Sequence, residues 1–241
     1  MGILIVFASL KGGVGKSTHA AALTAGLLDR GHTVRAIETD PQGSFGAWAD
    51  ETAAHHESLD SIFMDPKEAD FESTNEQIVQ LCDGPDFIVL DTPGNANRMT
   101  MPALYSADLV LAPFSLTEWD IEGFNRTKET YQKVFEAMNE ETPDSFVGLY
   151  VGTVRFISNA EREKLENLSE TAFIRKGLTH SPHISNWVEA CRTPAQLDEG
   201  ILPVEGSRPI SNAARNKAKN AIYEYTSKIA EVFDAENEPK G

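Results

Sequence analysis

The chain has 241 residues, with 21 Lys and Arg against 37 Asp and Glu, and so a formal net charge of −16. This balance excludes a protein that binds nucleic acid through its overall charge, so any such contact needs a local basic patch. No apolar run reaches the ~18 residues that span a bilayer, and 2 cysteines are too few for a disulfide framework. We expect a soluble cytoplasmic protein with a single domain over 1–241.

Runs rich in Val, Ile and Leu alternate with helical patterns along the chain, which is typical of strands buried on both faces. The predicted strands are 3–9, 33–39, 86–91, 108–114 and 147–154, and the predicted helices are 17–30, 74–82, 117–139 and 211–234. The third helix opens with Thr117 three residues before Asp120, a start resembling a capping box. Trp119 and Trp187 are predicted to be packing residues. The order predicts an α/β fold: an open, mostly parallel twisted sheet with helices on both faces.

The strongest motif lies between the first strand and the first helix, where the chain reads KGGVGKST over 11–18. Glycines let successive backbone N–H groups turn toward phosphate oxygens beside the positive end of a helix. Lys16 supplies a positive charge for the β and γ phosphates, and the Ser17 hydroxyl can bind Mg²⁺. The predicted nucleotide-binding residues are Lys11, Gly12, Gly13, Val14, Gly15, Lys16, Ser17 and Thr18.

The loop departs from the ordinary G-x-x-x-x-G-K-[ST] pattern, because Leu10 stands where the first glycine would be. Its K-G-G-x-G-K-[ST] form resembles the deviant Walker A motif of the ParA/MinD family of dimerising ATPases. In that family the first lysine crosses the dimer interface to the nucleotide of the partner subunit. The resemblance implies that the α/β fold is of the P-loop NTPase type. It also implies an ATPase that uses Mg-ATP and forms a homodimer when ATP binds, with Lys11 catalytic in trans and Lys16 in cis.

Two further segments fit the same family. The sequence ETDPQGS from Glu38 to Ser44 resembles the D-x-D-P-Q-G-[NS] element. The resemblance implies that Asp40 orients or deprotonates the attacking water and lies at the metal site, while the role of Glu38 stays open. The sequence FIVLDTPG over 87–94 has the Walker B arrangement, which implies that Asp91 holds Mg²⁺. Arg155 follows a strand where the family often places a residue that flanks adenine.

A basic segment near the C terminus is the candidate DNA-binding surface. Residues 206–223 contain no acid and four bases, namely Arg208, Arg215, Lys217 and Lys219. On the last predicted helix, Ala214, Ala218, Ile222, Tyr225 and Ile229 form an apolar stripe, and three of the bases border it. The alternative is a solvated helix edge, whose charged ends lie in water along the border of the core.

The leading functional hypothesis is a ParA-like ATPase that binds DNA without sequence preference and positions a DNA cargo on the nucleoid. A ParB-like partner would stimulate its weak intrinsic hydrolysis. The segment LTEWDIEGF over 116–124 resembles the VirC-type branch, whose members gather relaxase and transfer DNA at a type IV secretion channel. A MinD-like membrane ATPase is disfavoured because residues 231–241 carry four acids and one Lys. A relative that phosphorylates a small acid is a further alternative.

Overall fold

The computed structural model of the protein describes residues 1–65, 70–95, 98–151, 158–159, 163–164, 168, 173–174, 178 and 182–237. Arg155, the predicted adenine-flanking residue, lies outside the described residues. Among the helices that are described, none combines the length and the apolar character needed to cross a bilayer.

Seven strands of the described chain form one sheet in which each pairing is parallel. They are β1 (Ile3–Phe7), β2 (Val34–Glu38), β3 (Leu59–Phe63), β4 (Phe87–Asp91), β5 (Leu109–Phe114), β6 (Phe146–Tyr150) and β7 (Phe173–Ile174). Their spatial order is β3-β2-β4-β1-β5-β6-β7. The predicted parallel sheet is confirmed. β1 lies where the strand order reverses, and ligands of open α/β sheets bind beside the carboxyl end of such a strand.

Eight helices accompany the sheet in the described part of the chain. They are α1 (Lys16–Leu28), α2 (Ser44–Ala53), α3 (Phe71–Leu81), α4 (Thr100–Ser106), α5 (Glu118–Met138), α6 (Pro182–Glu189), α7 (Pro194–Asp198) and α8 (Asn212–Asn237). The sequence analysis did not predict β3, β7, α2, α4, α6 or α7. The sequence of β3 is LDSIF, and its polar residues interrupt the apolar run by which a buried strand is predicted. The strand tolerates them because it lies at the edge of the sheet, paired with β2 alone.

The strands divide their side chains between two helical layers, since successive residues of a strand point to opposite faces. On β1, Ile5 and Phe7 pack with apolar residues of α1, α2, α6, α7 and α8. Leu4 and Val6 of the same strand pack on the other face with residues of α3, α4 and α5. The predicted helices on both faces of the sheet are therefore confirmed.

The last helix, α8, covers α1, the helix that follows the phosphate loop. Its five predicted stripe residues are all buried, at 9% exposure or less. A Cβ built on Gly26 of α1 would lie 2.0 Å from the Thr226 hydroxyl oxygen, so only glycine permits this approach. The rings of His19 and Tyr225 meet edge to face at 5.4 Å between centroids. The two helices therefore pack as one block behind the phosphate loop.

The two tryptophans that were predicted to be packing residues differ in the structure. Trp187 on α6 is buried in the core cluster with α1 and α8. Trp119 is 74% exposed, so the prediction is wrong for this residue. It occupies the first turn of α5 at the carboxyl edge of the sheet, where no described residue covers it.

Candidate functional site

The phosphate loop connects β1 to α1 and is built on two glycines in the left-handed region. Gly13 has φ of 79° and Gly15, the N-cap of α1, has φ of 91°. A Cβ built on Gly12 or Gly13 would meet nothing within 4 Å, so the loop faces open space among the described residues. Lys16 is the first residue of α1 and is 7% exposed. This open cradle at a helix N-terminus has the shape and the charge that bind phosphate.

Ser17 and Asp91 lie side by side below the loop. The Ser17 hydroxyl donates a hydrogen bond of 2.5 Å to Oδ2 of Asp91, which is 1% exposed at the end of β4. The other carboxylate oxygen, Oδ1, is buried without a hydrogen-bond partner among the described residues. Burial raises the pKa of Asp91 to about 7, although Lys16 and the Ser17 hydroxyl lower it. A hydroxyl and an unsatisfied carboxylate oxygen are ligands that fit Mg²⁺.

The strand ends around Asp91 are held by close contacts with their neighbours. The Thr39 backbone N–H and hydroxyl both donate to the Asp91 carbonyl oxygen, at 3.1 and 2.8 Å. A Cβ built on Gly94 would lie 3.0 Å from Cα of Gly12, so the chain after β4 rests against the phosphate loop. The sequence analysis did not identify this contact. The sequence feature that could have indicated this contact is Gly94, the glycine that ends the TPG sequence.

Glu38 and Asp40 follow β2 and have different surroundings. Oε1 of Glu38 accepts from the Asp40 backbone N–H at 2.8 Å, and Oε2 accepts from the N–H groups of Phe45 and Gly46 at 3.0 and 3.1 Å. Burial raises the pKa of Glu38, and these backbone hydrogen bonds oppose the shift. Glu38 therefore holds the start of α2 and the turn that carries Asp40. The half-buried Asp40 carboxylate accepts only a local bond within the described chain, from the Gln42 N–H at 2.9 Å.

Lys11, the first lysine of the motif, does not extend into the glycine cradle. Its Nζ forms an ion pair with Oδ1 of Asp120 in the first turn of α5, and the Ser115 hydroxyl donates to Oδ2 of the same carboxylate. Burial disfavours the charged form of Asp120, but the hydrogen bonds from Lys11, Ser115 and Thr117 outweigh it and lower its pKa. The predicted helix start is present, because the Thr117 hydroxyl accepts from the Asp120 N–H. The partnership with Lys11 was not predicted.

Two of the four bases in the candidate DNA-binding segment pair with acids of the same chain. Arg208 Nη2 lies 3.1 Å from a carboxylate oxygen of Glu189, which ends α6. Lys219 on α8 forms an ion pair with Asp198, the last residue of α7. The adjacent carboxylates offset the positive charge that these two residues were predicted to present.

The other two bases of the segment differ in exposure. Arg215 is half-buried and donates from Nη1 to the Leu197 carbonyl oxygen at 2.7 Å, so it helps to attach α8 to α7. Lys217 is exposed to solvent. Among the described residues, Lys217 is therefore the one predicted DNA-binding residue whose side chain forms neither a hydrogen bond nor an ion pair.

Known proteins resemble the chain both in sequence and in fold. A family model described as VirC1 protein matches residues 2–176. Protein virC1 of Rhizobium radiobacter is 27% identical over 176 residues, which cover 68% of this chain and 72% of that protein. The chromosome-partitioning ATPase Soj of Treponema pallidum is 26% identical over 196 residues, which cover 68% of this chain and 75% of that protein.

A solved structure agrees with the fold. The plasmid partition protein of Borrelia burgdorferi, crystallised with AMPPNP, superposes with a TM-score of 0.62 at 17% identity, covering 95% of this chain and all of that one. At this identity the likeness concerns the fold alone. The match of the family model, together with the deviant phosphate loop, confirms the predicted family. The chain belongs to the VirC1 family, a branch of the ParA/MinD ATPases.

Proposed function

We propose that this protein is a Mg-ATP-dependent ATPase that dimerises when ATP binds, attaches to DNA without sequence preference and positions a DNA cargo. The observation that supports the ATPase part of this proposal is the Ser17–Asp91 pair, which leaves one buried carboxylate oxygen without a hydrogen-bond partner among the described residues. The pair lies beside the open glycine loop that leads into Lys16. The family of the chain is one of ATPases, and a structural neighbour holds an ATP analogue.

Each group at the proposed site has a chemical role. Lys16 neutralises charge on the β and γ phosphates, and the loop N–H groups orient them. Ser17 and Asp91 would hold Mg²⁺, which when bound supplies positive charge to the phosphate oxygens. Asp40 orients the attacking water, a positioning role that phosphoryl transfer requires. Hydrolysis by the protein alone is slow in this proposal, and a partner protein or DNA stimulates it.

The position of Lys11 supports a site that a second subunit completes. In the single chain its ammonium group lies with Asp120 and not over Gly12 and Gly13. Of the two lysines in the loop, Lys16 is therefore the one that would meet a triphosphate in its own subunit. We propose that the partner's Lys11 reaches this triphosphate in the ATP-bound homodimer, so that dimerisation depends on the γ phosphate.

DNA attachment would depend on the ATP dimer. The chain is too acidic for attachment through its overall charge, and two of its four candidate bases are paired with acids. One subunit therefore offers weak attachment, centred on Lys217. A dimer that holds two such patches on one duplex gains effective concentration without any new contact. DNA binding would then follow the nucleotide state, and the protein would be located on the nucleoid.

The experiment that tests this function measures retention on an unrelated DNA duplex with Mg-ATP or Mg-ADP, and dimerisation by light scattering. We expect the parent chain to dimerise and to be retained with ATP only. Lys11→Ala should lose both properties. Lys133→Ala, which removes an exposed lysine of α5, is the matched control and should behave as the parent. Retention that is equal with ATP and ADP, or normal dimerisation of Lys11→Ala, would contradict the proposal.

The second candidate function is a VirC-type adaptor that gathers relaxase and transfer DNA at a secretion channel. The family match over residues 2–176 favours it, because the matched model is that of VirC1 itself. The two functions differ in the partner protein. Stimulation of ATP turnover by a purified relaxase from the same replicon supports the adaptor, whereas stimulation by a ParB-like centromere-binding protein supports partition. A neighbouring gene for one or the other would indicate which partner to test first.

A further inference from the structure

The imidazole of His19 contacts the last glycine of the phosphate loop from inside α1. His19 is 1% exposed, and its Nδ1 lies 2.8 Å from the Gly15 carbonyl oxygen. A Cβ built on Gly15 would lie 3.3 Å from the same nitrogen. Because a carbonyl oxygen can only accept a hydrogen bond, Nδ1 carries a proton and donates it. The Gly15 carbonyl therefore accepts two hydrogen bonds, since the His19 backbone N–H also donates to it, at 3.0 Å.

These two hydrogen bonds determine the direction of the peptide unit between Gly15 and Lys16. Gly15 is the N-cap of α1, with φ of 91° and ψ of 18°, a left-handed conformation that suits glycine. No cis peptide bond occurs among the described residues, and in a trans peptide unit the C=O and N–H groups point in opposite directions. Since the carbonyl points along α1 to His19, the Lys16 N–H points out of the helix end, into the glycine loop.

The last helix holds the imidazole in this place. The ring of Tyr225 on α8 meets the His19 ring edge to face, with 5.4 Å between centroids and 74° between planes. Tyr225 is itself 1% exposed. A hydrogen bond buried among packed side chains is stronger than the same bond in water. The donor to Gly15 is therefore fixed by tertiary packing as well as by α1.

We infer that His19 is a positioning residue for the bound nucleotide, whose Nδ1–H holds the Gly15–Lys16 peptide unit so that the Lys16 N–H is aimed at a phosphate. The inference rests on the proposed binding of Mg-ATP at this loop. A loop that is already held in one conformation loses less conformational freedom when the phosphate binds. A peptide unit whose carbonyl accepts hydrogen bonds is also polarised, which makes its N–H a stronger donor. Both effects raise the affinity for the nucleotide.

The test measures the affinity of full-length variants for Mg-ATP by calorimetric titration, well below their melting temperatures. His19→Asn and His19→Leu are a matched pair. Both side chains branch at Cγ and both remove the ring that contacts Tyr225, but only the asparagine amide nitrogen can replace Nδ1 as a donor. Thr226→Ala is the packing control, because it loosens α8 on α1 at Gly26 and leaves the loop unchanged. Lys16→Ala reports on the nucleotide site itself.

We expect His19→Leu to bind Mg-ATP about fivefold more weakly than the parent, and His19→Asn to stay within about twofold of it. Thr226→Ala should lower the melting temperature and keep the parent's affinity. Equal affinities of the two His19 variants, or a loss in Thr226→Ala as large as that in His19→Leu, would overturn the positioning role. If Lys16→Ala alone loses affinity, the inference is wrong and the proposed site stands. If Lys16→Ala binds as the parent does, the proposed site is wrong too.

A measurement on the unchanged chain keeps the test valid if a His19 variant fails to fold. The chain has 6 histidines, and nitrogen-15 NMR of histidine-labelled protein reports which ring nitrogens carry protons. The His19 signal is assigned by its shift in Tyr225→Leu, which removes the neighbouring ring. We expect a protonated Nδ1 whose signal moves when Mg-AMPPNP binds. An Nδ1 without a proton, or a signal that Mg-AMPPNP leaves unchanged, would overturn the inference.

Discussion

The Ser17 hydroxyl and the Asp91 carboxylate, 74 residues apart in sequence, are joined by a hydrogen bond of 2.5 Å. This bond connects the first turn of α1 to the end of β4, so the two groups expected to share Mg²⁺ are adjacent in the fold. One oxygen of the carboxylate has no hydrogen-bond partner among the described residues. Burial raises the pKa of Asp91 because it disfavours the charged form.

The first prediction concerns Asp91→Asn in the nucleotide-free protein. Burial raises the pKa of Asp91 to about 7, from the usual 3.8 of an aspartate. The stabilising contribution of the protonated carboxyl is therefore full below about pH 4 and is lost as the pH rises through 7. The substitution should therefore stabilise the fold by about 3 kcal/mol more at pH 8 than at pH 5. Thermal unfolding at both pH values measures this, and an equal effect at both would contradict it. The rise in melting temperature caused by Mg-ATP should disappear.

The second prediction is that Lys16→Ala loses Mg-ATP binding, because the β and γ phosphates lose their principal positive partner. The affinity should fall by at least about 100-fold. Calorimetric titration of the variant, with Lys133→Ala as the control, measures this. An undiminished affinity would remove the phosphate-binding role from this loop.

The third prediction is that Asp40→Ala separates binding from chemistry. The phosphate loop and Asp91 are unchanged, so Mg-ATP should bind and the dimer should form. Turnover should fall by about 10²–10⁴-fold, the contribution of a positioned base. Phosphate release and light scattering on the same sample measure the two properties, with the exposed Asp50→Ala as the control. Near-normal phosphate release would place the water-orienting role in another residue.

The fourth prediction concerns Glu38→Gln. The amide nitrogen of glutamine cannot accept from backbone N–H groups, so at least one of the three donors around Glu38 loses its acceptor. This should cost about 1–3 kcal/mol of stability and misplace the turn that carries Asp40. Because Glu38 acts through Asp40, the double variant with Asp40→Ala should turn over no more slowly than Asp40→Ala alone. A further loss in the double variant would indicate an independent catalytic role.

The fifth prediction tests DNA contact through Lys217. Substitution of Arg215 or Lys219 would also break a contact with α7, so Lys217→Ala is the cleaner variant. It should weaken the ATP-dependent retention equally on two unrelated duplexes. The slope of log affinity against log salt should become shallower by about 2, one phosphate for each subunit of the dimer. If affinity and slope equal those of Lys133→Ala, the basic segment is a solvated helix edge.

The sequence predicted those parts of the site whose geometry is local. A strand, a glycine loop and a helix in succession determine where Lys16 lies. An apolar strand that ends in Asp91 places this carboxylate at the carboxyl edge of the sheet. The Lys11–Asp120 pair joins residues 109 apart, and no motif links them. The role of Glu38 depends on α2, whose start at a left-handed Gly43 was not predicted. The ion pairs of the basic segment likewise depend on acids at the ends of α6 and α7. These two helices were not predicted, so their acids could not be placed beside the bases.

The packing of α8 on α1 has a consequence for shortened forms of the protein. Every nucleotide motif lies within the first 94 residues, yet the helix that begins at Lys16 is covered by a helix that begins at residue 212. A chain cut before residue 212 would expose the apolar face of α1, including the surface around Gly26 where Thr226 fits. Such a fragment would keep the complete phosphate-binding sequence and still lack the support that orders it. The ability to bind ATP therefore has to be assayed on chains that retain the last helix.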